Sequence, residues 1–172
     1  GGTYDGKPYE ESGAAPWDLT DQQRTFLLRD KVRHVLIMGL ESTEAAVRWN
    51  NKLQALAEGD GFGIPANNST DPRHGADSSA EYKGQTGEDI SKWANGIGLS
   101  ASFDPEVVRE FGEIGAKEYR ALGIATALSP QIDLSTEPRW MRFADTFGEH
   151  TQMAIDMAKA YCDGFQTTEG AP

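Results

Sequence analysis

Asp71 and Arg142 are the residues of this 172-residue chain whose types best suit chemistry on a polar ligand. An ionised carboxylate accepts two hydrogen bonds from neighbouring hydroxyls, whereas a guanidinium donates in a fixed fork and keeps its charge. Converging on one pocket, the two would fix the orientation of a polyhydroxylated ring such as a monosaccharide. Trp140 and Trp93 offer apolar faces on which such a ring can lie. Each candidate has a plainer structural reading beside it. Asp71 precedes Pro72 and suits a turn, and of Arg139 and Arg142, close in sequence, only one need face a pocket. Metal-ligand spacing is absent, because His34, His74 and His150 are scattered and Cys162 stands alone. Gly59-Asp60-Gly61-Phe62-Gly63 precedes a strand instead of joining strand to helix, so it is no phosphate loop.

The elements that must position these residues alternate between strand and helix. Residues 1–20 have no period and read as an extended arm, with residues 21–172 as the folded portion. Thr20 caps a helix that begins at Asp21. The apolar run Val32–Gly39 is short enough for a buried strand. Ser42-Thr43-Glu44 then opens a helix with Ala46, Val47, Trp49, Leu53 and Leu56 at helical spacing, which ends at Gly59. Gly63–Asn67 is the next strand, completing a βαβ unit. Asp104-Pro105 starts another clear helix by cap and first-turn proline, with Val107, Val108, Phe111, Ile114 and Tyr119 toward the core. Ile124–Leu134 enters a strand ending at Glu137-Pro138-Arg139, and His150–Phe165 is the last helix, with Met153, Met157, Ala160 and Tyr161 on one side. Cys162 falls within that apolar pattern and reads as a small buried hydrophobe. In a parallel α/β barrel the loops after the strands share one face, where ligands bind. Asp71 and Arg142 both fall in such loops.

Composition sets the outer limits. With 16 basic against 27 acidic side chains and a formal net charge of −11, the chain is ill suited to nucleic acid or an anionic membrane surface. Its apolar runs are too short for a membrane span of about 20 residues. Asn68-Ser69-Thr70 is formally a glycosylation sequon and reads as a chance match.

Two motifs carry a resemblance. One is Glu137-Pro138-Arg139-Trp140-Met141-Arg142-Phe143-Ala144-Asp145-Thr146-Phe147-Gly148-Glu149. The other is Gly63-Ile64-Pro65 leading into Thr70-Asp71-Pro72-Arg73-His74-Gly75. Together, from about Val32 to Phe165, they resemble glycoside hydrolase family 3, in which an Asp-x-x-His-Gly corner follows one strand and an Asp-Pro-Arg-Trp-Gly-Arg corner follows a later one. Glu137 stands where that family has Asp, Met141 where it has Gly, and Asp145 where it has Glu.

The resemblance implies an α/β fold, the N-terminal part of a (β/α)8 TIM-like barrel. A full barrel needs on the order of 250 residues, so it is incomplete in this chain. It further implies a retaining, β-glucosidase-like exo-hydrolase that needs no cofactor. The family's Lys-His corner, aspartate nucleophile and acid/base glutamate have no counterpart here, so no catalytic residue is expected in this chain and the C-terminal remainder is expected as another polypeptide. Asp71 and Arg142 match the sugar-binding aspartate and arginine. His74 is implied as a brace for Asp71, Arg139 as the partner of an acid such as Glu137 or Asp145, and Asp145 and Glu149 as acceptors for backbone donors near the start of the His150–Phe165 helix. The implied partner is a carbohydrate, a β-glucoside first, with a β-xyloside, a hexosaminidase-type substrate or a purely sugar-binding or regulatory fragment as alternatives. A secreted or periplasmic setting and a bacterial origin accompany that reading.

Overall fold

The structure is a computed structural model and describes residues 2–39, 42–75 and 90–166. The first segment, expected to be an extended arm, contains a helical turn, α1 (Tyr9–Ser12), and is tied back onto α2 (Asp21–Leu28). The tie is the Asp21 carboxylate, which accepts from Thr3 Oγ1 at 2.7 Å and from the Asp5 and Gly6 amides at 2.9 Å. These donors hold the Asp21 carboxyl below its usual pKa, the Gly6 amide most of all. Thr20 and Gln23 form a reciprocal capping box at the start of α2.

Strand β1 (His34–Ile37), helix α3 (Thr43–Glu58) and strand β2 (Asn67–Thr70) form the first βαβ unit. Ser42 Oγ accepts from Ala45 N at 3.1 Å to cap α3. The second strand starts four residues later than its sequence suggests. Gly61 and Gly63 have φ of 60° and 69°, which bends the chain into a turn before it can extend. Asn68 therefore lies in the sheet, fully buried, with Nδ2 donating to Asn50 Oδ1 at 2.8 Å and Gly123 O at 3.2 Å. A sequon in that position is closed to modification.

Beyond β2 come α4 (Gly96–Ser100) and α5 (Pro105–Ala121), the latter capped by Asp104. Strand β3 (Thr126–Ala127) follows, then a 3-10 turn (Phe143–Asp145) and α6 (Thr151–Phe165). The expected strand Ile124–Leu134 is thus two residues of regular ladder, and the path then turns through a cis Ser129–Pro130 bond.

The three strands are parallel, in the order β1-β2-β3. Helices cover one face: Ile37 packs with Ala46, Tyr119, Leu122 and Ile124, and Val35 packs against Leu53 and Ala57. The other face carries His34 and Leu36, opposite Asn67 and Ser69 in register, and Leu36 remains 48% exposed. A sheet with helices outside and an uncovered inner face is the beginning of a (β/α)8 barrel, open because most of its strands are missing from this chain.

Helices α5 and α6 pack side by side. Their closest approach is made by Gly112 and Gly164, where a Cβ on Gly164 would stand 2.3 Å from Arg109 O. Phe111, Met157, Ala160 and Tyr161 fill the seam, and Cys162 is half-buried at its edge.

Candidate functional site

The corner after β2 is built from the inside out. Arg73 is 2% exposed and ties the ends of two strands together, donating from Nε to Thr70 Oγ1 and from Nη2 to Ile37 O, each at 2.8 Å. Its main-chain N donates to the Tyr119 hydroxyl at 2.9 Å, and that hydroxyl in turn donates to Asp71 O at 3.2 Å. Burial pushes the Tyr119 pKa up to about 12, so the hydroxyl keeps its proton for this bond. The Asp71 main chain is therefore clamped. Its carboxylate forms no hydrogen bond among the described residues and lines the cavity beside it.

His74, expected to brace Asp71, is turned elsewhere. Its Nε2 lies 2.6 Å from Glu118 Oε2, and its ring packs on Tyr119 and Phe111. Burial pulls the His74 pKa below its usual value, against an upward pull from Glu118. The neutral ring donating through Nε2 fits that geometry. Glu118 also accepts from Ser91 N at 3.0 Å and Ser91 Oγ at 2.9 Å. The main-chain bond from Trp93 N to His74 O, at 2.7 Å, completes the corner's attachment to the segment before α4. The brace for Asp71 is thus Tyr119, while His74 anchors the far side of the corner.

The second corner follows β3. Arg142 sits with its guanidinium carbon 5.3 Å from the centre of the Trp140 ring. Arg139 forms a two-pronged pair with Glu137, both bonds 2.8 Å, and its side chain is 88% exposed. The cap of α6 comes from His150, whose Nδ1 accepts from Met153 N at 3.3 Å, not from Asp145 or Glu149. Asp145 instead rests on α4: a Cβ at Gly96 would stand 2.4 Å from Asp145 O, so only glycine allows this approach.

The two corners close on one cavity of about 160 Å³, lined by Asp71, His74, Gln131, Arg142, Asp145 and Phe147 among others. This is smaller than the roughly 300–1,000 Å³ of complete small-molecule sites, as suits a site walled by part of a barrel. Asp71, Arg142, His74 and Asp145 are brought together here. The tryptophans are not part of this lining. Trp93 packs on Phe111 with ring centres 5.3 Å apart and donates from Nε1 to Ser91 Oγ at 2.9 Å. One face of Trp140 is taken by Arg142. Tyr119, Arg73 and Glu118 escaped the sequence reading of the site. Glu118 had a signal: with Phe111, Gly115 and Leu122 it lies along the buried stripe of α5, where a carboxylate needs a partner.

Parallel strands joined by helices, with charged loops meeting at their carboxyl ends, define the class: part of a TIM-type barrel. Within that class the chain belongs to glycosyl hydrolase family 3, whose N-terminal domain matches residues 13–171. It is 49% identical over 117 residues to a periplasmic beta-glucosidase/beta-xylosidase of Dickeya chrysanthemi, covering 68% of this chain and 18% of that protein. It is 43% identical over 131 residues to a probable beta-glucosidase C of Aspergillus flavus, covering 76% of this chain and 20% of the relative. The chain thus spans about a fifth of the length of these curated relatives. Among solved structures, a family 3 beta-N-acetylglucosaminidase from Paenibacillus superposes with a TM-score of 0.71 at 21% identity, over 87% of this chain and 28% of the other, which establishes the shared fold. A beta-glucosidase from Listeria innocua superposes with a TM-score of 0.61 at 27% identity, over 78% and 16%.

Proposed function

We propose that this chain supplies the sugar-holding half of a retaining glycoside hydrolase that removes terminal β-D-glucosyl residues. The observation that carries the reading is the meeting of Asp71 and Arg142, from the loops after β2 and β3, in one cavity. Asp71 accepts from vicinal hydroxyls of the non-reducing sugar, and Arg142 donates to another of its oxygens. Retaining enzymes hold two carboxyl groups about 5–5.5 Å apart, one a nucleophile and the other an acid and then a base. In this reading both come from the remainder of the enzyme. The present chain contributes binding energy remote from the reacting carbon, which positions and distorts the ring. Tyr119 and Arg73 hold the Asp71 backbone so that its carboxylate meets the sugar already oriented. The high identity to relatives named for glucosidase activity supports glucose as the first sugar, and a β-xyloside is the second reading because one of those relatives carries both names. A periplasmic or secreted setting accords with the first of them.

The test is hydrolysis of aryl β-D-glucoside and aryl β-D-xyloside by the complete enzyme, with the first-formed anomer read by proton NMR. A β-anomer product from the glucoside is expected, and little turnover by the 172-residue chain alone. Inversion, or an inert complete enzyme, would overturn the reading.

A further inference from the structure

Arg120 lies near the C-terminal end of α5 with its Nε and Nη2 buried and without a hydrogen-bond partner among the described residues. These atoms form the side edge of the guanidinium, where two parallel N–H donors match the two oxygens of a carboxylate. Arg29, Arg109 and Arg139 each present this same edge to a carboxylate in the structure. Arg120 has the donors in place and no acceptor among the described residues. Burying such donors unmatched costs more than the bond would contribute.

Its surroundings indicate where an acceptor would come from. Arg120 lines a groove bounded by α5, α6 and β3, with Ala125, Thr126, Tyr161 and Phe165 along its walls. Strand β3 pairs with β2 on one side, and its other edge takes no strand among the described residues. An open edge presents N–H and C=O groups in the spacing that a further strand needs. Phe165 and Gln166, at the end of α6, border the same groove. A second copy of this chain is a poor occupant, since pairing edge to edge would bring two Arg120 cations into one seam.

The strand that continues the barrel beside β3 would occupy this groove, and we propose that it sets an Asp or Glu side chain against Nε and Nη2 of Arg120. This rests on the reading that the chain is one part of a larger hydrolase. Charge selects the segment: a neutral or basic strand would pair with the edge and leave the cation buried and unmatched. Arg120 then acts as a latch between the sugar-binding part of the barrel and the part that completes it.

The test uses the complete enzyme and Arg120→Met, which keeps the length and apolar stem but removes the fork. With a docked carboxylate, the variant leaves that carboxylate buried and alone, and Tm falls by at least about 3 °C. With no acceptor, the same change relieves an unmatched cation, and Tm stays level or rises, which would overturn the proposal. Arg120→Lys is expected to lower Tm less than Met does. Hydrogen exchange across Ala125–Leu128 in the wild-type enzyme gives an independent readout should Arg120→Met fail to fold. Slow exchange at the Thr126 amide supports a docked strand, and exchange at the rate of an open edge refutes it. Wild-type turnover of an aryl β-glucoside, measured alongside, reports on the proposed function separately: a glycoside-inert enzyme with a destabilised Met variant would sink that function and leave the docking intact.

Discussion

His74 Nε2 stands 2.6 Å from Glu118 Oε2, and this contact joins the loop carrying Asp71 to the buried stripe of α5. The surroundings are mixed: Phe111 and Tyr119 pack on the ring, and Lys92 opposes its protonation from the segment before α4. Burial outweighs the Glu118 attraction, so the folded protein holds the His74 imidazole below the ordinary histidine value of about 6.5.

Stability should therefore depend on pH in a defined direction. Between the depressed folded value and about 6.5 the unfolded chain binds the proton more readily, so stability rises with pH across that window and is lost as pH falls through it. His74→Gln, which keeps a donor for Glu118 but does not titrate, should flatten this part of the profile. The measurement is urea unfolding of the complete enzyme and the variant from pH 5 to 8. Parallel profiles would mean that His74 does not carry the effect.

Gly164 on α6 meets the Arg109 carbonyl so closely that a methyl group has no room. Gly164→Ala must push α5 and α6 apart along the aromatic seam formed by Phe111, Tyr161 and Phe165. A loss of about 2–4 kcal/mol is expected, in the upper range of overpacking. Gly148→Ala is a different case, because its φ of 101° strains any side chain whatever the space. Denaturant midpoints would distinguish the two: a Gly164→Ala midpoint within error of wild type would show that the helices can separate without cost.

The sequence revealed the parts governed by local rules. Thr20 and Asp104 cap the helices they were expected to cap, and Ser42 caps the helix that its run opens, because a short polar side chain meets the first free amides wherever a helix begins. The edges of strands were less legible. Asn67–Thr70 has little apolar signature, since Asn68 and Thr70 spend their buried positions on hydrogen bonds to Asn50, Gly123 and Ile37. The site was visible as two charged corners, yet what holds it was hidden in helix α5. Tyr119 reads as a core residue and is one, but its hydroxyl also ties Asp71 to Arg73 across 48 and 46 residues of chain. No local pattern reports a bond of that range.

Asp71→Ala should reduce kcat/KM of the complete enzyme at least about a hundredfold, because two charge-assisted hydrogen bonds of ~1.5–3 kcal/mol each would be lost. Its Tm should move little. The clamp from Tyr119 reaches the main-chain oxygen of residue 71, which alanine retains. Kinetics on an aryl β-glucoside, paired with a melting curve, check both halves. Near-normal kcat/KM would reduce Asp71 to a turn residue.

The two arginines of the second corner separate the functional from the structural reading. Arg142 lines the cavity and lies over Trp140 at 5.3 Å, so lysine in its place keeps the charge but loses both the planar fork and much of the stacking. Arg142→Lys should lower kcat/KM at least about tenfold with almost no change in Tm. Trp140→Ala should lower it too, by releasing Arg142 from its platform. Arg139 holds the Glu137 carboxyl at about 2, yet both groups stand in solvent, where such a pair contributes little to folding. Arg139→Lys should therefore leave activity near wild type and lower Tm only slightly. Steady-state kinetics and melting temperatures of the three variants decide the matter, and a larger activity loss in Arg139→Lys than in Arg142→Lys would reverse the assignment of the two side chains.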